Sequence, residues 1–291
     1  MSVETAENRL VLYDYPVSYN CQIVRLVLCE KEIPGRTHKV DIGPLMEQFQ
    51  PWFMRLNPKG ELPVLDHDGN VITETLDIIR YLDDKYPGTK LTPISAEDQA
   101  AMDEWVSLER DFPEADFTYG LVEQGTGKIV AKDMERRKRL IKEQMQKNPD
   151  MTAIYQVKLD LVTDWQDRLR DTELVDTLVD RLQEMLDKLE ERLAGREFIA
   201  SGNYTLADVV WTALLARLEM LGFKRMWSFG ARPNIENYYI RMKQRPSFSC
   251  APVHLKSSLW LVIGSALKAF WRQVLMVVGV IVALILLIRI L

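Results

Sequence analysis

Gly60-Glu61-Leu62-Pro63-Val64-Leu65, followed by Glu74-Thr75, is the stretch on which the fold turns. Proline has no N–H to give a sheet ladder, so inside an apolar strand-like run it must sit at an edge, at the first residue or at a bulge. Pro63 is therefore a placed residue. Leu62, Val64 and Leu65 read as a short buried strand, Asp66-His67-Asp68-Gly69-Asn70 as its turn, and Val71-Ile72 as a returning strand. Glu74-Thr75 then opens a helix on which Leu76, Ile79 and Leu82 recur at helical spacing, until Pro87-Gly88 breaks it. A hairpin and a capped helix account for these residues without any function.

Working back from this stretch, Gln50 to Gly60 reads as a short helix, Thr37 to Ile42 as a strand, and Leu10 to Tyr13 as a first strand. The helix between those strands carries Ile23, Val24, Leu26, Val27 and Leu28, and the crossover makes the two strands parallel. That helix begins at Ser18-Tyr19-Asn20-Cys21. Serine is a leading N-cap residue, and a helix N-terminus also offers backbone N–H groups and partial positive charge to an anion. Ser18 therefore reads either as a cap or as a thiol-activating hydroxyl. Tyr13, Tyr15 and Tyr19 are further proton donors or packing residues, and Cys21 is either a low-pKa thiol or an inert core residue.

The strand, helix, strand, proline-bearing hairpin and helix together resemble the thioredoxin-like half of the glutathione transferase superfamily. In that family the proline is cis, the residue before it offers its backbone to the cysteinyl part of glutathione, and an acidic residue with the Ser/Thr after it holds the γ-glutamyl end. The resemblance puts Leu62, Pro63, Glu74 and Thr75 in those roles, and Ser18 on the catalytic serine of serine-type members. With serine in the first position, dithiol redox chemistry is excluded for this motif. Glu61 falls beside the expected pocket for the glycine carboxylate, where it would weaken glutathione binding by like-charge repulsion. Lys59 is the residue expected to compensate.

From Ser95 onward strand signals vanish. Ala101, Trp105 and Leu108 share a helical face that must end before Pro113. Between Gly120 and Trp165 lies a polar stretch rich in Lys and Arg, including Lys132, Arg136, Arg137 and Lys138, with a helix start at Asn148-Pro149-Asp150. It reads as a solvated helix face or a partner-docking arm. Without interleaved aromatics and on an acidic body, it does not read as a nucleic-acid site. Leu174, Leu178, Leu182, Leu186, Leu189 and Leu193 form one long apolar stripe, and Thr205 to Asp208 forms a capping box that opens a buried helix.

The chain has 291 residues and a formal net charge of −5, room for about two domains. Cys21, Cys29 and Cys250 show no disulfide or metal spacing, which favours a reducing compartment, and no metal site is expected. The acidic body ends in a basic tail, since no Asp or Glu follows Glu236. Val274 to Ile288 is uninterruptedly apolar and as a helix covers about 22 Å at about 1.5 Å per residue. Against a hydrocarbon core of about 30 Å it needs extension toward Trp271 or Leu291, with Arg272 and Arg289 snorkelling.

A transferase body, an added charged helical segment and a basic-flanked apolar tail resemble the plan of the ganglioside-induced differentiation-associated protein family. Pro51-Trp52-Phe53-Met54-Arg55-Leu56-Asn57, Asn148-Pro149-Asp150 and Leu221-Gly222-Phe223 through Arg232-Pro233-Asn234 carry that likeness. It implies a mitochondrial outer-membrane protein, single-pass, with its body facing the cytosol, acting in mitochondrial shape, fission and redox state. Contacts with mitochondrial-dynamics or cytoskeletal proteins and with an apolar acid follow from the same likeness, while a homodimer follows from the resemblance to the transferase superfamily, its mode left open by the insertion. The expected layout is a flexible N-terminus (1–8), an α/β thioredoxin-like domain (9–90), an all-α C-terminal domain (91–250) with a helical insertion at about 120–165, a basic juxtamembrane segment (251–272) and a transmembrane helix (273–291) flanked by Lys268, Arg272 and Arg289. The expected function is an adaptor of mitochondrial dynamics with weak or absent conjugating activity; the alternative is a membrane-bound enzyme conjugating glutathione to electrophiles.

Overall fold

The computed structural model describes residues 10–126 and 129–251. The N-terminal 1–8 segment, Lys268, Arg272, Arg289 and the 273–291 anchor lie outside the described residues, and among those described no helix is long and apolar enough to cross a membrane.

The first half runs β1 (Leu10–Asp14), α1 (Tyr19–Glu30), β2 (Arg36–Lys39), α2 (Pro51–Leu56), β3 (Val64–His67), β4 (Asn70–Ile72) and α3 (Thr75–Lys85). Its four strands lie in the order β2-β1-β3-β4, with β1 and β2 parallel and the other pairs antiparallel. The hairpin turn is made by Asp68 and Gly69, both at positive φ, which the tight two-residue connection requires. The Leu62–Pro63 peptide is cis. β2 is shorter than the expected 37–42 strand because Asp41 leaves the ladder and folds back. Its carboxylate accepts the N–H of Gly43 (3.0 Å) and of Leu45 (3.4 Å).

The second half is helical: α4 (Ala96–Arg110), α5 (Glu114–Thr126), α6 (Ile129–Lys147), α7 (Thr152–Leu169), α8 (Leu174–Arg192), α9 (Leu206–Met220), α10 (Pro233–Gln244) and α11 (Pro246–Cys250). The thioredoxin-like half and the helical half share one large core, in which α9, buried on all faces from Leu206 to Leu218, packs against α1 and α4. The Thr205/Asp208 capping box is formed, and Asp208 also accepts the N–H of Ile199 and the hydroxyl of Tyr238, each at 3.0 Å. Those bonds tie the α9 start to α10 and to the loop before it. The stripe on α8 faces this core through Leu178, Leu182, Leu186 and Leu189. Beneath the crossing of the halves, Lys31 and Asp83 form a buried ion pair at 2.9 Å, and Asp83 accepts the N–H groups of Leu91 and Thr92.

Two expectations are corrected here. Cys29 and Cys250 are disulfide-bonded, with Cα atoms 5.9 Å apart, joining the last turn of α1 to α11 across a sequence separation of 221. Their distance in sequence hides what the packing of α11 on α1 brings together. The 120–165 stretch is not a solvated arm. α6 and α7 pack together, and Val130, Met134 and Ile141 of α6, Met151 of the turn between them, and Tyr155 and Val162 of α7 share a second core with Met46, Phe49 and Met54 of the thioredoxin-like half.

Candidate active site

α1 begins where β1 ends, and the turn between them, Tyr15-Pro16-Val17-Ser18, is pinned from three sides. Arg25 pairs with Asp14 and donates to the Pro16 carbonyl (2.9 Å). Arg217 of α9 donates to the Val17 carbonyl (2.7 Å) and pairs with Glu114 of α5 (3.2 Å). The Ser18 N–H itself donates to the Tyr15 carbonyl (2.9 Å). Ser18 is the N-cap of α1, its Oγ accepting the Cys21 N–H at 3.4 Å. That bond uses a lone pair and not the hydroxyl proton, for which the Cys21 sulfur is a neighbouring acceptor, so capping and thiol activation are compatible roles.

Ser18 opens onto a cleft of about 970 Å³. One wall is the thioredoxin-like half: Tyr15 to Asn20, Ile42 to Pro44, and Gly60-Glu61-Leu62. The facing wall comes from α5, α6 and α7, with Tyr119, Val130, Arg136, Arg137, Lys158, Val162 and Trp165 among its residues. Apolar surface and cations alternate along it. Tyr119 meets Trp165 edge-on at 4.7 Å, and the Arg137 guanidinium lies over the Tyr119 ring. Arg137 pairs with Asp133 (2.6 Å), and Arg136 donates to the Pro44 carbonyl (2.5 Å), reaching across to the opposite wall. Tyr155 does the same from the core, its hydroxyl donating to the Phe49 carbonyl (3.0 Å).

Of the residues that the resemblance assigned to glutathione, Ser18 and Leu62 line the cleft, and Glu61, Tyr15, Tyr19, Lys132, Arg136 and Arg137 line it with them. Pro63, the buried Thr75, Lys59 and Glu74 are not among its lining residues, and Lys59 and Glu74 form an exposed ion pair with each other. Lys59 thus gives its ammonium to Glu74. Glu61 is met instead by Lys158 of α7, Nζ to Oε1 at 3.2 Å. Burial pulls that ammonium below its ordinary value, and Glu61 opposes the shift. Gly60 permits this approach: at φ +58° a Cβ there would lie 3.0 Å from Met54 Sδ and 3.5 Å from Lys158 Cε.

The tyrosines separate by partner. Tyr13 faces away, into a cluster with His38, Trp52 and Phe53. Tyr19 donates to Glu109, a fully buried carboxyl that burial pushes up to about 7. The Tyr15 hydroxyl has no hydrogen-bond partner among the described residues; burial and the Asp41 carboxylate push it up to about 12, so it keeps its proton against the cleft. Cys21 is completely buried and its thiol is driven well up by burial, which makes it a core residue. Lys158 escaped the sequence reading, although a signal existed. It occupies a core-facing position in the series Met151, Tyr155, Lys158, Val162, where a lysine needs a partner.

An anion-receptive helix N-terminus, a hydroxyl donor and a roomy mixed apolar and cationic wall suit a small thiol-bearing anion beside an organic co-substrate. The comparisons agree in kind. The glutathione S-transferase N-terminal domain family matches residues 17–85, and the corresponding C-terminal domain family matches 164–241. A tetrachloro-p-hydroquinone reductive dehalogenase of Sphingobium chlorophenolicum is 36% identical over 245 residues, covering 83% of this chain and 95% of that protein. The human ganglioside-induced differentiation-associated protein 1-like 1 is 29% identical over 266 residues, covering 82% and 72%. Among solved structures, the beta-etherase LigF of Sphingobium sp. strain SYK-6 superimposes with a TM-score of 0.65 at 25% identity, covering 83% of this chain and 98% of LigF.

Proposed function

Since this chain belongs to the glutathione S-transferase superfamily, we propose that it binds glutathione in the Ser18 cleft and uses the thiolate against an electrophilic organic co-substrate held by α5, α6 and α7. The observation that carries this reading is the placement of the Ser18 hydroxyl, at the start of α1, on the same cleft as the Leu62 residue before the cis proline. The Ser18 O–H and the backbone N–H groups of the α1 start stabilise the sulfur anion, lowering the cost of its deprotonation. Sulfur then forms a bond to carbon as the leaving group departs with the bonding pair. The Tyr119/Trp165 edge supplies an aromatic surface to a planar co-substrate. The reading is tested by calorimetric titration of glutathione into the full chain and by assaying Ser18→Ala for conjugation. Binding should survive the substitution, while turnover falls about a hundredfold, the usual loss for one donor to a developing anion. No binding, or undiminished turnover, contradicts it.

A second reading has its own support in the likeness to the ganglioside-induced differentiation-associated protein 1-like 1. On it the 273–291 segment, flanked by Lys268, Arg272 and Arg289, anchors the chain in the mitochondrial outer membrane with its body in the cytosol. The transferase body then serves mitochondrial dynamics, fission and redox balance, as a homodimer or through partner proteins, and its cleft takes an apolar acid. Deleting residues 259–291 should release the chain to the cytosol on fractionation, and retention on mitochondria would contradict the anchor.

A further inference from the structure

Lys158 presents an unusual pairing. Its side chain is 9% exposed, whereas that of its partner Glu61 is 61% exposed. A buried ammonium needs an anion, while a carboxylate lying mostly in water has water as an alternative partner. The two ends of this ion pair are therefore unequal, and the carboxylate is the end that exchanges readily. Lys158 also stands at a defined place in the cleft. Its Cε packs under Gly60, one residue before Glu61 and two before Leu62. Of the other cations nearby, Arg217 pairs with Glu114 and the Val17 carbonyl, Arg137 with Asp133, Arg168 with Asp116 and Lys59 with Glu74, and Arg136 donates to the Pro44 carbonyl. Lys132 also lines the cleft but is exposed, so burial beside Gly60 is what sets Lys158 apart.

Resting on the glutathione reading above, we propose that Lys158 receives the glycyl carboxylate of glutathione and that Glu61 is an internal substitute, holding the ammonium until that carboxylate displaces it. With the cysteinyl part against Leu62 and the γ-glutamyl end toward Glu74 and Thr75, the glycyl end runs the other way along the loop, toward Gly60 and the ammonium beneath it. The helical pair α6–α7 thus contributes a recognition residue to the glutathione subsite itself. The carboxylate at position 61 becomes a competitor that sets affinity, with no need for Lys59.

The test uses the full chain and two ligands, glutathione and its glycyl monoethyl ester, which lacks the charge at that end. In calorimetric titrations the wild type should bind glutathione at least about tenfold more tightly than the ester, as a charge-assisted contact implies. Lys158→Met should bind both equally, at the level of the ester. Glu61→Gln should bind glutathione several-fold more tightly than the wild type and leave the ester unchanged. Equal binding of acid and ester by the wild type, or discrimination retained in Lys158→Met, would overturn the proposal. Should Lys158→Met fail to fold, Lys158→Gln takes its place, and a preference for acid over ester retained in that variant would contradict the proposal. An acidic co-substrate as the true occupant would appear as a Lys158 effect on co-substrate KM with no preference for glutathione over its ester, and would also overturn it. If the wild type binds neither ligand, the glutathione reading itself falls.

Discussion

The two walls of the cleft are built on different principles. The thioredoxin-like wall is made mostly by local chemistry: an N-cap, a turn held by Arg25, a proline before a strand and a hairpin at positive φ, with Arg217 of α9 as a long-range tie. The α6–α7 wall is made by tertiary packing alone, a charged helix pair whose inner face meets Met46, Phe49 and Met54. The first wall would be recognisable in a short peptide sequence. The second exists only once its apolar face has found the other half, and its cations change from solvated charges into cleft residues by that act.

If the far wall is integral, the largest effect should come from its buried anchor. Tyr155→Ala removes a fully buried ring and its bond to Phe49, and should lower stability by about 4 kcal/mol in urea unfolding. A loss below about 1 kcal/mol would restore the picture of a detachable arm.

The thioredoxin-like wall rests on the buried Tyr19–Glu109 contact, which gives it a pH signature. Glu109 titrates at about 7 in the folded chain against an ordinary 4.5, because of burial. Between those values the folded chain holds a proton that the unfolded chain has released. Stability therefore falls as pH rises through that window, by about 3 kcal/mol at about 1.4 kcal/mol per unit, and is level above it. Asp208, pushed by burial from 3.8 up to about 6, adds a slope of the same sign at lower pH. Glu109→Gln should flatten the pH 6 to 7 portion in particular, and an unchanged slope there would remove Glu109 from the account.

The smallest effect should come from the surface link between the same two regions. Arg55 and Asp150 pair at 3.1 Å with both side chains mostly exposed. Arg55→Ala should change stability by less than about 0.5 kcal/mol. A larger loss would mean that the walls are held at their rim as well as through their shared core.

The same contrast explains what the sequence disclosed. The Pro63 hairpin, the Ser18 cap and the Thr205/Asp208 box were legible because each is decided within a few residues. The parallel β1–β2 pair was legible from the helix between them, but the end of β2 was not, because the Asp41 side chain captures its own backbone. The Cys29–Cys250 bond was hidden by separation, and the role of α6–α7 by ambiguity, since a helix face rich in Lys and Arg reads alike beside solvent or beside a cleft. Lys158 was the exception that could have been caught, a lysine in register with Tyr155 and Val162.

Hydrogen exchange of the full chain with and without glutathione tests the shared cleft most directly. Binding between the two walls predicts slowed exchange at the α1 start and the Gly60–Pro63 loop, and equally along α7 around Lys158. Protection confined to the thioredoxin-like side, with α7 exchanging as in the free protein, would contradict the account.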